Sequence, residues 1–284
     1  SPDGTKILMM QNYQGRKIVV TRSLTDPNAE PNGIPPLENQ EFMWARWASN
    51  DRIITGLRFA YMNNYWGYVT YGTTETRLIA MDWDGENAIN PVRLNNKRGR
   101  QSQIQTTVID ILKDEPEYIL LQLDYHEQHA QGVYKVNINE RRIPKMVVKG
   151  RQFLNYWSTD VDNVVRFGSG SSDREGSVAQ RYVNYFRESE EDTWRTLFDL
   201  DLVENDSPFD FEGFSDEPHI IYVTAQDENN RKAAFTYDTR NKKFIDKIAS
   251  VDGFDIISVR VDDTGKLEYY TYFDVQPRIV FFDD

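Results

Sequence analysis

Short apolar runs alternate with polar turns along the chain, and the turns recur. Six segments set an Asp-containing turn directly before an apolar run of strand length. Ser1-Pro2-Asp3-Gly4-Thr5-Lys6 precedes Ile7-Leu8-Met9-Met10, and Ser49-Asn50-Asp51-Arg52 precedes Ile53-Ile54. Asp114-Glu115-Pro116-Glu117 precedes Tyr118-Ile119-Leu120-Leu121, and Asp160-Val161-Asp162-Asn163 precedes Val164-Val165. Ser215-Asp216-Glu217-Pro218-His219 leads into Ile220-Ile221-Tyr222-Val223, and Asp262-Asp263-Thr264-Gly265-Lys266 into Leu267-Glu268-Tyr269-Tyr270. The turn chemistry is local: Asp and Asn bond their own backbone, Pro presets φ, and Gly accepts positive φ.

Measured from Ile7, Ile53, Tyr118, Val164, Ile220 and Leu267, the intervals are 46, 65, 46, 56 and 47 residues. Three of them cluster, and the two longer ones read as loops inserted into a common unit. Repeats of about 40–50 residues that hold several strands mark propeller blades. A continuous apolar run predicts a strand buried on both faces, as inner strands are between neighbouring blades. Within the units, residues 78–83 run into the hairpin dipeptide Asp84-Gly85 and return through Val92-Arg93-Leu94. Alternating segments flank polar turns at 137–142, 188–192 and 238–243, which predicts half-buried outer strands. Residues 103–112 predict a short turn or helix, and the Pro- and Asn-rich 27–36 a surface loop.

The predicted fold class is therefore all-β: a β-propeller of four-stranded antiparallel blades, one domain over residues 1–284. Six repeat units are visible and a seventh is expected in the parent. Only 17 residues follow Leu267, so the last visible blade is expected to be incomplete. The chain opens inside a repeat turn, as expected of an excised or processed piece.

Composition narrows the partners. The 33 basic residues against 45 acidic ones give a net charge of −12, whereas nucleic acid and anionic membranes demand a basic face. No run approaches the roughly 20 apolar residues of a membrane helix. The chain has no Cys, which rules out disulfides, a thiolate nucleophile and Cys-ligated zinc, and leaves the redox compartment open.

The opening Ser-Pro-Asp-Gly-Thr-Lys-Ile, the segment Trp47-Ala48-Ser49-Asn50-Asp51-Arg52-Ile53, residues 78–85 and Asp160-Val161-Asp162-Asn163-Val164-Val165-Arg166 carry a family likeness. In order and spacing they resemble the N-terminal propeller of bacterial prolyl oligopeptidase family proteins, of the dipeptidyl aminopeptidase and acylaminoacyl peptidase type. The resemblance runs from residue 1 to about Tyr272. It implies a propeller that covers the active site of an α/β-hydrolase domain on the same polypeptide and limits which peptides enter. That hydrolase domain is absent from this chain, which has no Gly-x-Ser-x-Gly nucleophile elbow. The expected role is thus substrate gating without catalysis in a serine peptidase, with a peptide substrate and the hydrolase domain as partners. The alternative is a stand-alone propeller that binds protein or peptide partners.

No catalytic residue, cofactor or metal site is assigned. Gly168-Ser169-Gly170-Ser171-Ser172-Asp173 reads as a flexible connection. His126-Glu127-Gln128-His129 places two imidazoles three apart, but in a loop and without a third ligand. His219, at the mouth of an inner strand, reads as structural. The acidic turn 188–192 reads as a solvated hairpin tip, and the Asp-rich turns as self-capping rather than calcium-binding. The candidate binding residues are Tyr61, Tyr65, Trp66 and Tyr68, in an aromatic cluster inside the 65-residue interval. An aromatic insertion with Asn and Gly suits recognition, although propellers also pack their blades with aromatics.

Overall fold

A computed structural model describes the chain except residues 62, 63, 66, 67, 70–72, 94–101, 128, 153, 174–179, 202–206, 263, 283 and 284. The described elements are all strands, and they fall into two compact units, Ser1–Gln152 and Phe153–Asp284.

In the first unit, β1 (Lys6–Tyr13), β2 (Arg16–Ser23) and β3 (Asn32–Ile34) form one antiparallel sheet. The second sheet starts with β4 (Gln40–Trp47) and β5 (Arg52–Tyr61). A two-stranded hairpin of β6 (Asn64–Tyr65) and β7 (Tyr68–Val69) follows, and β8 (Thr73–Asp82) completes the order β4-β5-β8. The third sheet runs β9 (Val108–Ile111), β10 (Tyr118–Leu123), β11 (Gly132–Asn137) and β12 (Lys145–Val148).

The second unit repeats the scheme. Its first sheet is β13 (Tyr156–Thr159), β14 (Val165–Asp173), β15 (Gln180–Phe186) and β16 (Arg195–Asp201). Next come β17 (Asp210–Phe214), β18 (Ile220–Gln226), β19 (Lys232–Asp238) and β20 (Lys243–Ala249). The last sheet holds β21 (Ile256–Val261), β22 (Leu267–Phe273) and β23 (Pro277–Phe281). These are blades joined strand to adjacent strand, the propeller arrangement expected from the repeat.

The six predicted runs open β1, β5, β10, β14, β18 and β22, each within one residue of the strand start. From the second sheet onward that strand stands second in its blade, so the repeated turn joins the first strand to the second. Its chemistry is self-capping. Asp160 Oδ1 accepts from the amides of Asp162 at 3.1 Å and Val164 at 3.0 Å. Asp262 Oδ1 accepts from the Thr264 amide and hydroxyl, each at 2.7 Å, and from the Lys266 amide at 2.9 Å.

Packing explains the unbroken apolar runs. In the second sheet, Ile53, Leu57 and Met81 bury against Val19 of the first sheet. Their neighbours Ile54, Leu78 and Ala80 bury against Ile119, Leu121 and Val136 of the third. One strand thus feeds two cores, with successive side chains on opposite faces. In the second unit, Phe167 and Phe186 meet Ile221 and Val223, while Ala234 faces Ile256 and Val259 of the last sheet. β1 and β22 depart from this rule, with half-buried and exposed positions instead of buried ones.

Several local expectations are corrected. The turn or helix expected over 103–112 contains β9, an edge strand paired with β10. The loop expected over 27–36 contains β3, paired with β2 through Val19↔Ile34 and Thr21↔Asn32. Residues 168–173 belong to β14, all paired with β15 and the first two also with β13, so the Gly/Ser string is not a flexible connection. Among the described residues, three of the six blade sheets have three strands. In the second, the fourth position is reduced to a bridge between Ala80 and Ile89.

Candidate binding site

The insertion that lengthens the second interval is an extension of a blade rather than a free loop. β5 and β8 pair without a break from Arg52↔Asp82 to Tyr61↔Thr73. The hairpin carried at their far end is closed by Asn64↔Val69 and Tyr65↔Tyr68. Of the four aromatic candidates, Tyr61 ends β5, while Tyr65 and Tyr68 are register partners in the hairpin. Trp66 lies outside the described residues.

At the stem of this hairpin the start of β4 opens two adjoining clefts. One, of about 310 Å³, is lined by Gln40, Glu41, Arg58, Phe59, Ala60 and Thr74 among others. The other, of about 330 Å³, reaches from Gln40 and Glu41 to Asn12, Gly15, Arg16 and Lys17 at the β1–β2 turn. That turn is tight because Gln14 and Gly15 both adopt positive φ, at 50° and 79°. The Glu41 carboxylate joins the two walls. Lys17 Nζ stands 3.1 Å from Oε1, and Arg58 donates to Oε2. The hydrogen bond from Arg58, followed by that from Lys17, holds the Glu41 carboxyl below the usual carboxylate range. Arg16 braces the second cleft by donating to the carbonyls of Pro36 at 2.6 Å and Leu37 at 2.8 Å. Gln40 Oε1 is buried and has no donor among the described residues. Nothing in the sequence singled these residues out. A polar Gln40-Glu41 pair opening an apolar strand was the one available signal, and its partners stand far off in the chain.

Other predicted residues take up structural positions. His126 Nδ1 lies 2.8 Å from the Tyr134 hydroxyl, with the two rings stacked at a 14° interplanar angle. Burial pushes the Tyr134 phenol up to about 12. The backbone carbonyl of His219 accepts from the Thr239 amide at 2.9 Å and hydroxyl at 2.8 Å. The acidic turn is tied down at Glu188, which accepts from Arg195 Nη2 at 2.7 Å and Arg240 Nε at 3.0 Å. No group of three or more His, Asp or Glu residues suited to a metal ion occurs among the described residues.

No protein-family model matches the chain, and no curated protein matches it. Solved structures do. A structure from a study of two prolyl endopeptidases matches 98% of this chain and 40% of its own length, with a TM-score of 0.59 at 11% identity. The β-propeller domain of the trilobed protease from Pyrococcus furiosus matches 98% of this chain and 78% of its own, with a TM-score of 0.53 at 11% identity. Pyrococcus horikoshii acylaminoacyl peptidase matches 100% of this chain and 44% of its own, with a TM-score of 0.51 at 14% identity. The chain thus spans less than half the length of the prolyl endopeptidase and acylaminoacyl peptidase structures. In fold, the chain is a β-propeller like those of the peptidases that its sequence motifs resemble.

Proposed function

We propose that this chain is the substrate-gating, non-catalytic propeller of a serine peptidase that acts on peptides. One observation carries the reading: 98% of the chain overlays 40% of a prolyl endopeptidase structure. The chain itself contains no Gly-x-Ser-x-Gly string. In the parent, peptide acyl transfer to a serine and subsequent hydrolysis belong to an α/β-hydrolase domain of the same polypeptide. The propeller's share is exclusion and orientation. Tyr61, Tyr65, Trp66 and Tyr68 are the residues assigned to peptide selection, since aromatic side chains offer large contact areas on a hairpin anchored by a rigid sheet.

The test compares the full-length gene product with this chain alone. The full product should be substantially longer, should react with a fluorophosphonate probe on serine and should hydrolyse peptides, while the chain alone should do none of these. Peptide hydrolysis by the isolated chain would overturn the non-catalytic role. A full-length product that ends near Asp284 and resists the probe would overturn the peptidase reading. In the full product, Tyr65→Ala with Trp66→Ala should change the ranking of peptides by kcat/KM and leave the melting temperature unchanged.

A further inference from the structure

We propose that the paired clefts at the stem of the aromatic hairpin form a subsite for a carboxylate-bearing segment of a peptide. The inference rests on the reading that the chain handles peptides, and it adds the chemistry that would be selected.

Charge comes first. Lys17 and Arg58 share one carboxylate, that of Glu41, so two cations meet one anion. Arg16 lines the same space, and the result is a locally basic pocket on a chain of net charge −12. Both cations remain accessible, with 47% of the Lys17 side chain and 51% of the Arg58 side chain exposed. A guanidinium carries five donors in a planar fork, and Glu41 engages one terminal nitrogen of Arg58. An incoming carboxylate therefore has charged donors to meet.

The second requirement is a donor. Gln40 Oε1 is a buried acceptor in the wall common to both clefts, and no described residue donates to it. Leaving a buried acceptor unmet is costly, and a turn of the Gln40 side chain towards the cleft would let an entering amide N–H meet it. A peptide supplies both groups within a few ångströms: a carboxylate for Arg58 and Lys17, and a backbone N–H for Gln40. Inorganic phosphate fits worse. As a dianion at neutral pH it meets stronger repulsion from Glu41 than a single carboxylate does. Phe59, with the Arg77 guanidinium 5.4 Å from its ring centroid, supplies an apolar wall. Ala60 and Thr74 keep the space beside it open.

The experiment titrates the intact chain with three fluorescent-labelled probes that share one backbone. They are acetyl-Ala-Ala-Glu-Ala-amide, acetyl-Ala-Ala-Gln-Ala-amide, and acetyl-Ala-Ala-Gln-Ala with a free C-terminus. At least one carboxylate-bearing probe should bind about tenfold or more tightly than the neutral amide. Raising salt from about 50 to about 500 mM should weaken that binding. Whichever carboxylate probe binds identifies the source, side chain or C-terminus. Arg58→Gln and Lys17→Gln should each abolish the preference at an unchanged melting temperature, and either variant suffices if the other fails to fold. Equal binding of all three probes, no binding, or a preference that survives both substitutions would overturn the subsite. None of these readings involves turnover, so the fate of the peptidase reading is decided separately by the fluorophosphonate label on the full product.

Discussion

The guanidinium of Arg166 and the carboxylate of Asp160 meet 3.1 Å apart at the root of β14, with side chains only 6% and 11% exposed. The same Asp160 caps its own turn through its other oxygen. Arg166 also donates from Nε to the carbonyl of Arg187 at 3.3 Å and lies 4.7 Å over the ring of Phe214. One side chain therefore closes a repeat turn and neutralises a buried cation. Removing one partner of a buried pair leaves the other uncompensated, which is more damaging than losing the attraction alone.

Asp160→Ala is accordingly expected to cost about 3–5 kcal/mol in urea unfolding. Asp160→Asn keeps an oxygen for the turn amides and loses the charge, so it should fall between the wild type and Ala. A loss below about 1 kcal/mol for the Ala variant would show that Arg166 finds another counter-charge.

What the sequence revealed divides by range. The turns at Asp160 and Asp262 were legible because their chemistry is complete within four residues, and their spacing alone gave the blade repeat. The inner strands β10 and β18 were legible because each opens on an unbroken apolar run, Tyr118 to Leu121 and Ile220 to Val223, most of it buried. Features fixed by distant partners were not. The Gly/Ser string of β14 has the composition of a linker, and only pairing with β13 and β15 makes it a strand. Glu188 sat in a turn that reads as solvated, yet its partner Arg240 lies 52 residues away. The cleft is the same case, since Lys17, Glu41 and Arg58 belong to three different strands.

Gly168 shows why that string contains glycine. A Cβ at this position would stand 2.6 and 2.7 Å from two ring atoms of Trp157, itself buried on β13. Trp157 in turn meets Trp194 edge-on, with centroids 5.4 Å apart. Gly168→Ala should therefore push the indole off its seat and cost about 1–3 kcal/mol by overpacking. The check combines urea unfolding with tryptophan emission, which should shift as the ring is displaced. A neutral substitution with unchanged emission would mean that the indole can move aside without loss.

Glu188 ties two sheets together, since Arg195 opens β16 while Arg240 follows β19 in the next blade. Chiefly through the hydrogen bond from Arg240, its carboxyl is held below the usual carboxylate range. A depressed folded-state value contributes stability that is present above the ordinary Glu value and lost as pH falls through the folded one. Glu188→Gln should thus be less stable than the wild type at neutral pH, by about 1 kcal/mol. The gap should close as pH falls through the folded-state value of Glu188, below which the wild-type carboxyl is also neutral. A gap that persists unchanged in acid would assign the effect to packing instead of charge.

Glu212 carries the opposite sign. It sits on β17, where Oε1 accepts from the Thr224 hydroxyl at 2.8 Å and Oε2 from the Val259 amide of the next sheet at 3.0 Å. Burial nevertheless outweighs these bonds and pushes its carboxyl above the usual value. A raised folded-state value gives stability that is full below the ordinary Glu value, and that is lost as pH rises through the folded one. The neutral isostere Glu212→Gln can still accept from Val259, while its amide donates to the Thr224 oxygen, whose hydroxyl is free to rotate. This variant should therefore melt about 2–4 °C above the wild type at pH 7. At about pH 4, where the wild-type carboxyl is itself protonated, the advantage should vanish. A variant less stable than the wild type at both values would mean that the ionised carboxylate is the form the fold prefers, with the two hydrogen bonds outweighing its burial.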